Sequence, residues 1–208
     1  MSHATAGPQG DTWNGGTRPY AIPSKKFGMW LFLVSDAITF ATLLFAYSYM
    51  RIVNDWPTPF NKGSIALSTA MTFCLLSSSL TMVMAVMAAH RGDRNKTFLW
   101  ILGTIAGGLA FFVLHGWEWS HIIHEHITPI WGKEPFPAIW ATFFCCTGMH
   151  MLHVASGVTY LFVLGIQYKA GKFKSIDIEV AGLYWHFVDL VWMFIFPLIY
   201  LLSTNMNG

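Results

Sequence analysis

Charged residues are almost absent from five long apolar stretches of this chain, and their absence constrains the fold more than any other feature. Of 22 formally charged residues, only Asp36 and Asp189 fall inside these stretches. Each stretch exceeds the roughly 20 residues that an α-helix needs to cross about 30 Å of hydrocarbon. Lipid offers the backbone no hydrogen-bond partners, so a helix is the expected form of each stretch. The stretches are 27–50, 65–89, 97–117, 138–166 and 180–202.

The sequence therefore predicts an all-α integral membrane protein with a single domain of five transmembrane helices at residues 27–202. Hydrophobic residues make up 54% of the chain and charged residues 11%, a balance typical of membrane proteins rather than soluble ones. Residues 1–26 are polar and rich in Gly, Pro, Ser and Thr, so we expect a loosely ordered N-terminal arm and no cleaved signal peptide. Residues 203–208 form a short C-terminal tail.

The basic residues predict the orientation of the bundle. Nine of the 12 Lys and Arg residues lie before the first span, between spans two and three, or between spans four and five. The other side holds only three, so the positive-inside rule places the N-terminus in the cytoplasm and the C-terminus outside. Because these residues flank spans instead of forming a patch, we expect no nucleic-acid partner.

Five ionisable residues are expected within the membrane, in a layer at middle to inner depth. They are Asp36, His150, His153, His186 and Asp189, contributed by three spans. A carboxylate in lipid is costly, so Asp36 and Asp189 should each be paired, hydrogen-bonded to a His or Trp, or protonated. The layer could tie helices together, hold or relay protons, or contact a lipid head group or a partner subunit. A small transporter that uses the two aspartates as coupling sites is a further hypothesis.

A second polar cluster lies at the outer end of span three. Its members are His115, Glu118, His121, His124, Glu125 and His126. The Glu118-x-x-His121 spacing occurs in carboxylate-bridged iron sites, so a membrane di-iron oxygenase or desaturase-like metalloenzyme is the alternative function. However, the chain has one such motif where those sites use two, and ligands including His186 would be spread over about 20 Å of depth. We therefore expect no metal site and no catalytic residue on this chain.

Two segments resemble a known family. Residues 143–154 read FFCCTGMHMLHV, and residues 184–192 read YWHFVDLVW, which includes Trp185. Both closely resemble the signature of subunit III of haem–copper terminal oxidases, which is the third subunit of cytochrome c oxidase and of its quinol-oxidase relatives. The resemblance extends to Glu179, to Glu118 in its Leu-x-x-x-Glu-aromatic setting, and to residues 28–40. Larger members have seven spans, and this chain resembles the shorter type with five.

The resemblance implies a non-catalytic subunit in the aerobic respiration of a bacterium, located in the cytoplasmic membrane. Haem and copper would belong to the catalytic subunit I, with subunit II and possible small subunits or a respiratory supercomplex as further partners. The implied work is to stabilise subunit I, retain structural phospholipid and support proton uptake.

Three positions depart from the usual pattern of the family. Met151 replaces a usual Gly, and Gln167 stands where longer members place an Arg implicated in lipid binding. Asp36 stands where many cytochrome c oxidases have Glu, and similar Asp variants occur among quinol oxidases. The electron donor, cytochrome c or quinol, therefore stays open.

Overall fold

The computed structural model describes residues 23–53, 60, 62–124 and 137–203. Most of the predicted N-terminal arm, nearly all of the C-terminal tail and most of the connection before span four lie outside the described residues. Side chains are described from residue 140 onward in the fourth helix.

Five helices confirm the predicted all-α membrane architecture, since each is long and apolar enough to cross a bilayer. They are α1 (Ser24–Val53), α2 (Lys62–His90), α3 (Arg94–His124), α4 (Pro137–Lys169) and α5 (Ser175–Ile195). All of them extend beyond the apolar stretches at their N-terminal ends, and α3 continues to His124, seven residues past the expected end at Trp117. We call the end with the α2–α3 and α4–α5 connections the basic end, and the other the opposite end.

Both connections at the basic end are closed by a glycine. Gly92 and Gly171 have φ angles of +77° and +83°, which residues with a Cβ adopt only at a cost. In each case the glycine N–H bonds to the carbonyl three residues back, and the next N–H bonds to the carbonyl five residues back. This is the Schellman motif, which ends one helix and lets the chain turn directly into the next.

Helix α5 lies at the centre of the bundle and contacts α1, α2 and α4, whereas α1 packs only against α4 and α5 to any extent. Small residues bring α2 and α3 together. A Cβ on Gly107 would lie 2.6 Å from Cβ of Ser78 and 3.0 Å from the Cys74 carbonyl oxygen. Close backbone approach of this kind replaces the hydrophobic drive that helices lack in lipid.

Two irregular helical turns follow α5, the first wider and the second tighter than an α-helical turn. A π-helical turn at Phe196–Tyr200 contains Pro197, and a 3-10 turn follows at Leu201–Ser203. Proline cannot donate a backbone hydrogen bond, so a regular α-ladder cannot continue through it. The altered turn carries Tyr200 into the interior, where its side chain is fully buried.

Candidate functional site

Asp36 and His153 form a contact between α1 and α4, which we call the α1–α4 pair. Nε2 of His153 lies 3.2 Å from Oδ1 and 3.0 Å from Oδ2 of Asp36. The side chains are 13% and 16% exposed respectively, so the pair is close to the bundle surface without being open to it. The carboxylate therefore has a partner inside the membrane, as its burial requires.

The partners of His153 assign the tautomer of its imidazole ring. Nδ1 lies 2.8 Å from the Met149 carbonyl oxygen, which can only accept, so Nδ1 carries a proton. This tautomer is assigned from the hydrogen-bond partners. One further proton between Nε2 and the Asp36 carboxylate would give either imidazolium and carboxylate or imidazole and carboxylic acid. Both forms have zero net charge, whereas loss of the proton would leave a lone pair facing an anion.

Aromatic and hydroxyl groups hold the α1–α4 pair in place. The Phe40 ring lies 5.1 Å from the His153 ring, edge to face. The Tyr184 hydroxyl donates to the His153 carbonyl at 3.1 Å and contacts the Ser156 hydroxyl at 2.9 Å. A groove of about 430 Å³ runs beside the pair between α1, α4 and α5. It is lined by Met29, Phe32, Ser156, Tyr160 and Tyr184.

His186 and Asp189 lie on the other side of α5, against α2, and do not join the α1–α4 pair. Nδ1 of His186 is 2.6 Å from the Ser79 hydroxyl, which also interacts with the Asp189 carboxylate. Oδ1 of Asp189 is buried without a hydrogen-bond partner in the described part of the chain. Ser79, which the sequence did not single out, is thus the link between these two residues.

Two tryptophans extend this α2–α5 contact. Nε1 of Trp185 donates to the Ser78 hydroxyl at 3.0 Å, and Nε1 of Trp192 donates to the Thr72 hydroxyl at 2.9 Å. Both indole rings are almost fully buried. Tryptophan N–H groups need such partners when they are buried, so the small polar residues of α2 match the aromatic residues of α5.

A third group, which we call the core cluster, consists of His115, Glu118, His150 and Tyr200. The Tyr200 hydroxyl donates to Oε2 of Glu118 at 2.7 Å, and Nδ1 of His115 lies 3.2 Å from the same oxygen. Glu118 is 5% exposed, and the other three are fully buried. The His150 ring stacks against Trp192 at 5.2 Å between ring centroids.

Four further residues belong to the predicted outer cluster, and two of them lie within the described residues. His121 and His124 line surface pockets near the end of α3, and Glu125 and His126 lie outside the described residues. Within the described ranges, no group of three His, Cys, Asp or Glu side chains could hold a metal ion.

Glu179 lies at the basic end rather than in the interior. Its carboxylate forms an ion pair with Lys26, and the neighbouring Asp177 pairs with Lys25 at 2.6 Å. Asp177 also accepts from the backbone N–H of Lys174 and so caps α5. These two pairs attach the start of α1 to the start of α5, a role that sequence spacing did not indicate.

Asp93 is a surface carboxylate outside the spans, and its pKa is altered. Asp93 precedes α3, and its Oδ1 accepts the backbone N–H of Lys96 at 3.1 Å. This hydrogen bond, helped by the Lys96 side chain, lowers the pKa of Asp93 below its usual value.

Five apolar spanning helices and ionisable contacts buried between them define an all-α integral membrane protein. Comparison with known proteins then gives its family. The family model of cytochrome c oxidase subunit III matches residues 10–204. The chain belongs to this family, which confirms the resemblance seen in the sequence.

Individual relatives carry two different names. Cytochrome c oxidase subunit 3 of Alkalihalophilus pseudofirmus is 33% identical over 186 residues, with 88% of each chain covered. Probable quinol oxidase subunit 3 of Staphylococcus haemolyticus is 29% identical over 203 residues, covering 95% of this chain and 98% of the relative. The corresponding protein of Staphylococcus saprophyticus is 28% identical over 189 residues. The chain is thus similar to subunits of both kinds of oxidase.

Proposed function

We propose that this chain is the non-catalytic subunit III of a proton-pumping haem–copper terminal oxidase. Membership of the cytochrome c oxidase subunit III family is the observation that carries this proposal. The A. pseudofirmus relative favours cytochrome c as the electron donor, and the staphylococcal relatives keep quinol as the second candidate.

The oxidase chemistry would reside on other chains. Haem and copper would be held by the catalytic subunit I, with subunit II, and possible small subunits or a supercomplex, as further partners. In support, the described residues of this chain offer no cluster of metal ligands. The bundle would lie in the bacterial cytoplasmic membrane, with the basic end facing the cytoplasm in accordance with the positive-inside rule.

Support of proton uptake is the proposed task of the α1–α4 pair. The shared proton can pass between Asp36 and His153 without creating a net charge in lipid. The pair without this proton would be an anion, which is costly there, so release of the proton is expected only as another arrives. Its 13% and 16% exposure gives a proton carrier access that a fully enclosed pair would lack. Asp36 lies about 18 Å along α1 from the start of that helix. If the basic end faces the cytoplasm, the pair is within reach of the side from which protons are taken up.

Retention of phospholipid is the proposed task of the groove beside the pair. Met29, Phe32 and Tyr184 give it apolar walls that suit an acyl chain. A lipid phosphate would need a cation, which Gln167 does not provide. Lys25 and Lys26 at the start of α1 would provide it in competition with Asp177 and Glu179. Polar contacts of α5, including Trp185 with Ser78 and His186 with Ser79, would keep the surface offered to subunit I rigid.

Native purification tests the assignment of the complex. We expect the chain to copurify with a large haem-bearing subunit and the isolated chain to show no haem or metal absorbance. Stoichiometric iron in the purified chain would contradict the proposal and favour the di-iron alternative. Oxidation of added cytochrome c or of quinol by the complex identifies the donor.

Substitution of Asp36 tests the proton-uptake role. Asp36→Asn keeps a hydrogen-bonding group beside His153 but cannot hold the shared proton. We expect normal assembly, with slower proton uptake or faster inactivation during turnover at alkaline pH. Asp36→Glu should retain most of the wild-type rate because it restores a carboxylate. Thr39→Ala, one turn away on an exposed part of α1, is the matched control. Unchanged steady-state kinetics of Asp36→Asn at alkaline pH would reject the role.

A further inference from the structure

The core cluster presents more polar atoms than its neighbours satisfy. Five buried atoms make no hydrogen bond to the described residues: both ring nitrogens of His115, both of His150, and Oε1 of Glu118. Nδ1 of His115 lies 3.2 Å from Oε2 of Glu118, but without the geometry of a hydrogen bond. A buried polar atom left without a partner costs about 1–3 kcal/mol. Five in one place would consume most of the stability of an ordinary domain. The native protein must therefore provide them with partners.

Aromatic rings around the histidines can satisfy only part of this demand. The His115 ring meets Trp192 edge to face at 5.5 Å, and the His150 ring meets Phe111 in the same way at 5.5 Å. A ring face can weakly accept an N–H group. A neutral imidazole also has a lone pair on its other nitrogen, which needs a donor. No ring face provides a donor, so the lone pairs require protons or water.

Water has a route to one side of the cluster. A pocket of about 340 Å³ opens between α2 and α3 at the opposite end, and Glu118 is part of its lining. Ser64 and His121 give its wall further polar groups, and Leu67 and Trp117 close its apolar side. A water molecule takes about 30 Å³ in the liquid and binds where it finds two to four polar partners. The pocket is large and polar enough to bring water to the Glu118 carboxylate.

We propose that the core cluster is a second proton-binding site, in which Glu118 and His115 share a proton and internal water joins them to His150 and to the pocket. In the ionised form, the Glu118 carboxylate faces a His115 imidazolium. In the neutral form, the proton has moved through water to Oε1 of Glu118, and His115 is a neutral imidazole. Oε2 accepts the Tyr200 hydroxyl in both forms, so no bond to Tyr200 breaks.

Every helix packed around the cluster contributes to its electrostatic surroundings. The titratable groups of α3 and α4 around the cluster are His115, Glu118, His121, Cys146, His150 and His153. Tyr200 follows α5, and Tyr47 of α1 lies beyond it. Among these described groups, Glu118 is the only acid with an ordinary pKa below neutrality, so its compensating charge has to come from a histidine or a bound proton. His115 is the histidine nearest to it, at 3.2 Å.

The core cluster is buried within this chain, so the proposal does not depend on whether the partner is an oxidase. Infrared difference spectra of the purified complex, recorded as a function of pH, test it directly. The two forms hold the same number of protons, so pH acts on the cluster through uptake or loss of the shared proton. We expect a carbonyl stretch from protonated Glu118 that appears as the pH falls and the cluster takes up this proton, and that disappears entirely in Glu118→Gln. Glu179→Gln, at the basic end, is the matched control and should retain the band.

Two further variants keep the proposal testable if Glu118→Gln does not assemble. Tyr200→Phe should shift the carbonyl band because the hydroxyl donor is lost, and His115→Gln should move the pH at which the band appears. If no titrating carboxyl band depends on any of these three residues, the shared proton does not exist and the proposal is overturned.

Exchange into D2O tests the water route. Leu67→Trp fills the pocket and should slow deuterium exchange of the Glu118 carboxyl several-fold. Leu80→Trp, on an exposed part of the same helix, should leave the exchange rate unchanged. Equal exchange rates in both variants would exclude the pocket as the source of water.

Discussion

The two carboxylate–histidine contacts of this bundle differ in how they are built. Asp36 and His153 are 117 residues apart and meet only because α1 packs against α4. His115 and Glu118 are three residues apart on α3, so the helix itself places them on one face. The first contact is 13% and 16% exposed, and the second is 0% and 5% exposed. Similar chemistry thus meets two environments, one near the surface and one deep in the core.

A third set of residues shows that spacing alone does not produce such a contact. His186 and Asp189 have the same three-residue spacing on α5, yet His186 bonds to Ser79 of α2. The small hydroxyl of the neighbouring helix lies between the two groups and interacts with both. A carboxylate–histidine pair therefore depends on what the adjacent helix offers, and this determines which pairs can share a proton.

The largest expected effect comes from removing Trp192, whose ring packs against the core cluster. Trp192 is fully buried and contacts Phe111, His115 and His150. Trp192→Ala should lower the free energy of unfolding in detergent by about 3 kcal/mol or more, because the cavity it leaves cannot collapse. Leu190→Ala, 53% exposed on the same helix, is the control and should cost much less. Equal losses would show that the core cluster is not tightly packed.

Removal of one hydroxyl from each region compares them directly. Tyr200→Phe takes the donor from the buried Glu118 carboxylate and should cost about 1–3 kcal/mol of unfolding free energy. Tyr184→Phe removes the hydroxyl that braces the α1–α4 pair and should cost only about 0.6 kcal/mol, the average for hydrogen bonds in membrane helices. A larger loss of unfolding free energy in Tyr184→Phe than in Tyr200→Phe would show that burial does not determine which hydrogen bond contributes more.

The smallest effect is expected at Asp93, which lies outside both contacts. The pKa of Asp93 is lowered in the folded state, so its stabilising contribution is present above its usual pKa and is lost as the pH falls through the folded value. Thermal unfolding in detergent should therefore show a small acid-induced destabilisation, and Asp93→Asn should reduce it while keeping the helix cap. A steeper acid dependence in Asp93→Asn would contradict this sign.

The sequence predicted the membrane character, the number of helices and the family. Hydrogen bonding in lipid leaves a long apolar stretch no alternative to a helix, so these conclusions needed no knowledge of neighbours. The three-residue spacing of His115 and Glu118 could also be read from the sequence, because it is a property of one helix. The family motif in residues 184–192 could be read in the same direct way.

The tertiary structure alone decided which ionisable residues meet. Asp36 pairs with His153, while His150 lies with His115 and Glu118, and His186 contacts Ser79. A common depth in the membrane, which the sequence predicted for four of these residues, does not determine which of them meet. Tyr200 lies in the π-helical turn that contains Pro197 and donates to Glu118, which is 82 residues away in the sequence. Contacts between helices depend on their rotation and packing, which small residues such as Gly107 set through close approach. Those quantities belong to pairs of helices, so the pattern along any one helix cannot contain them.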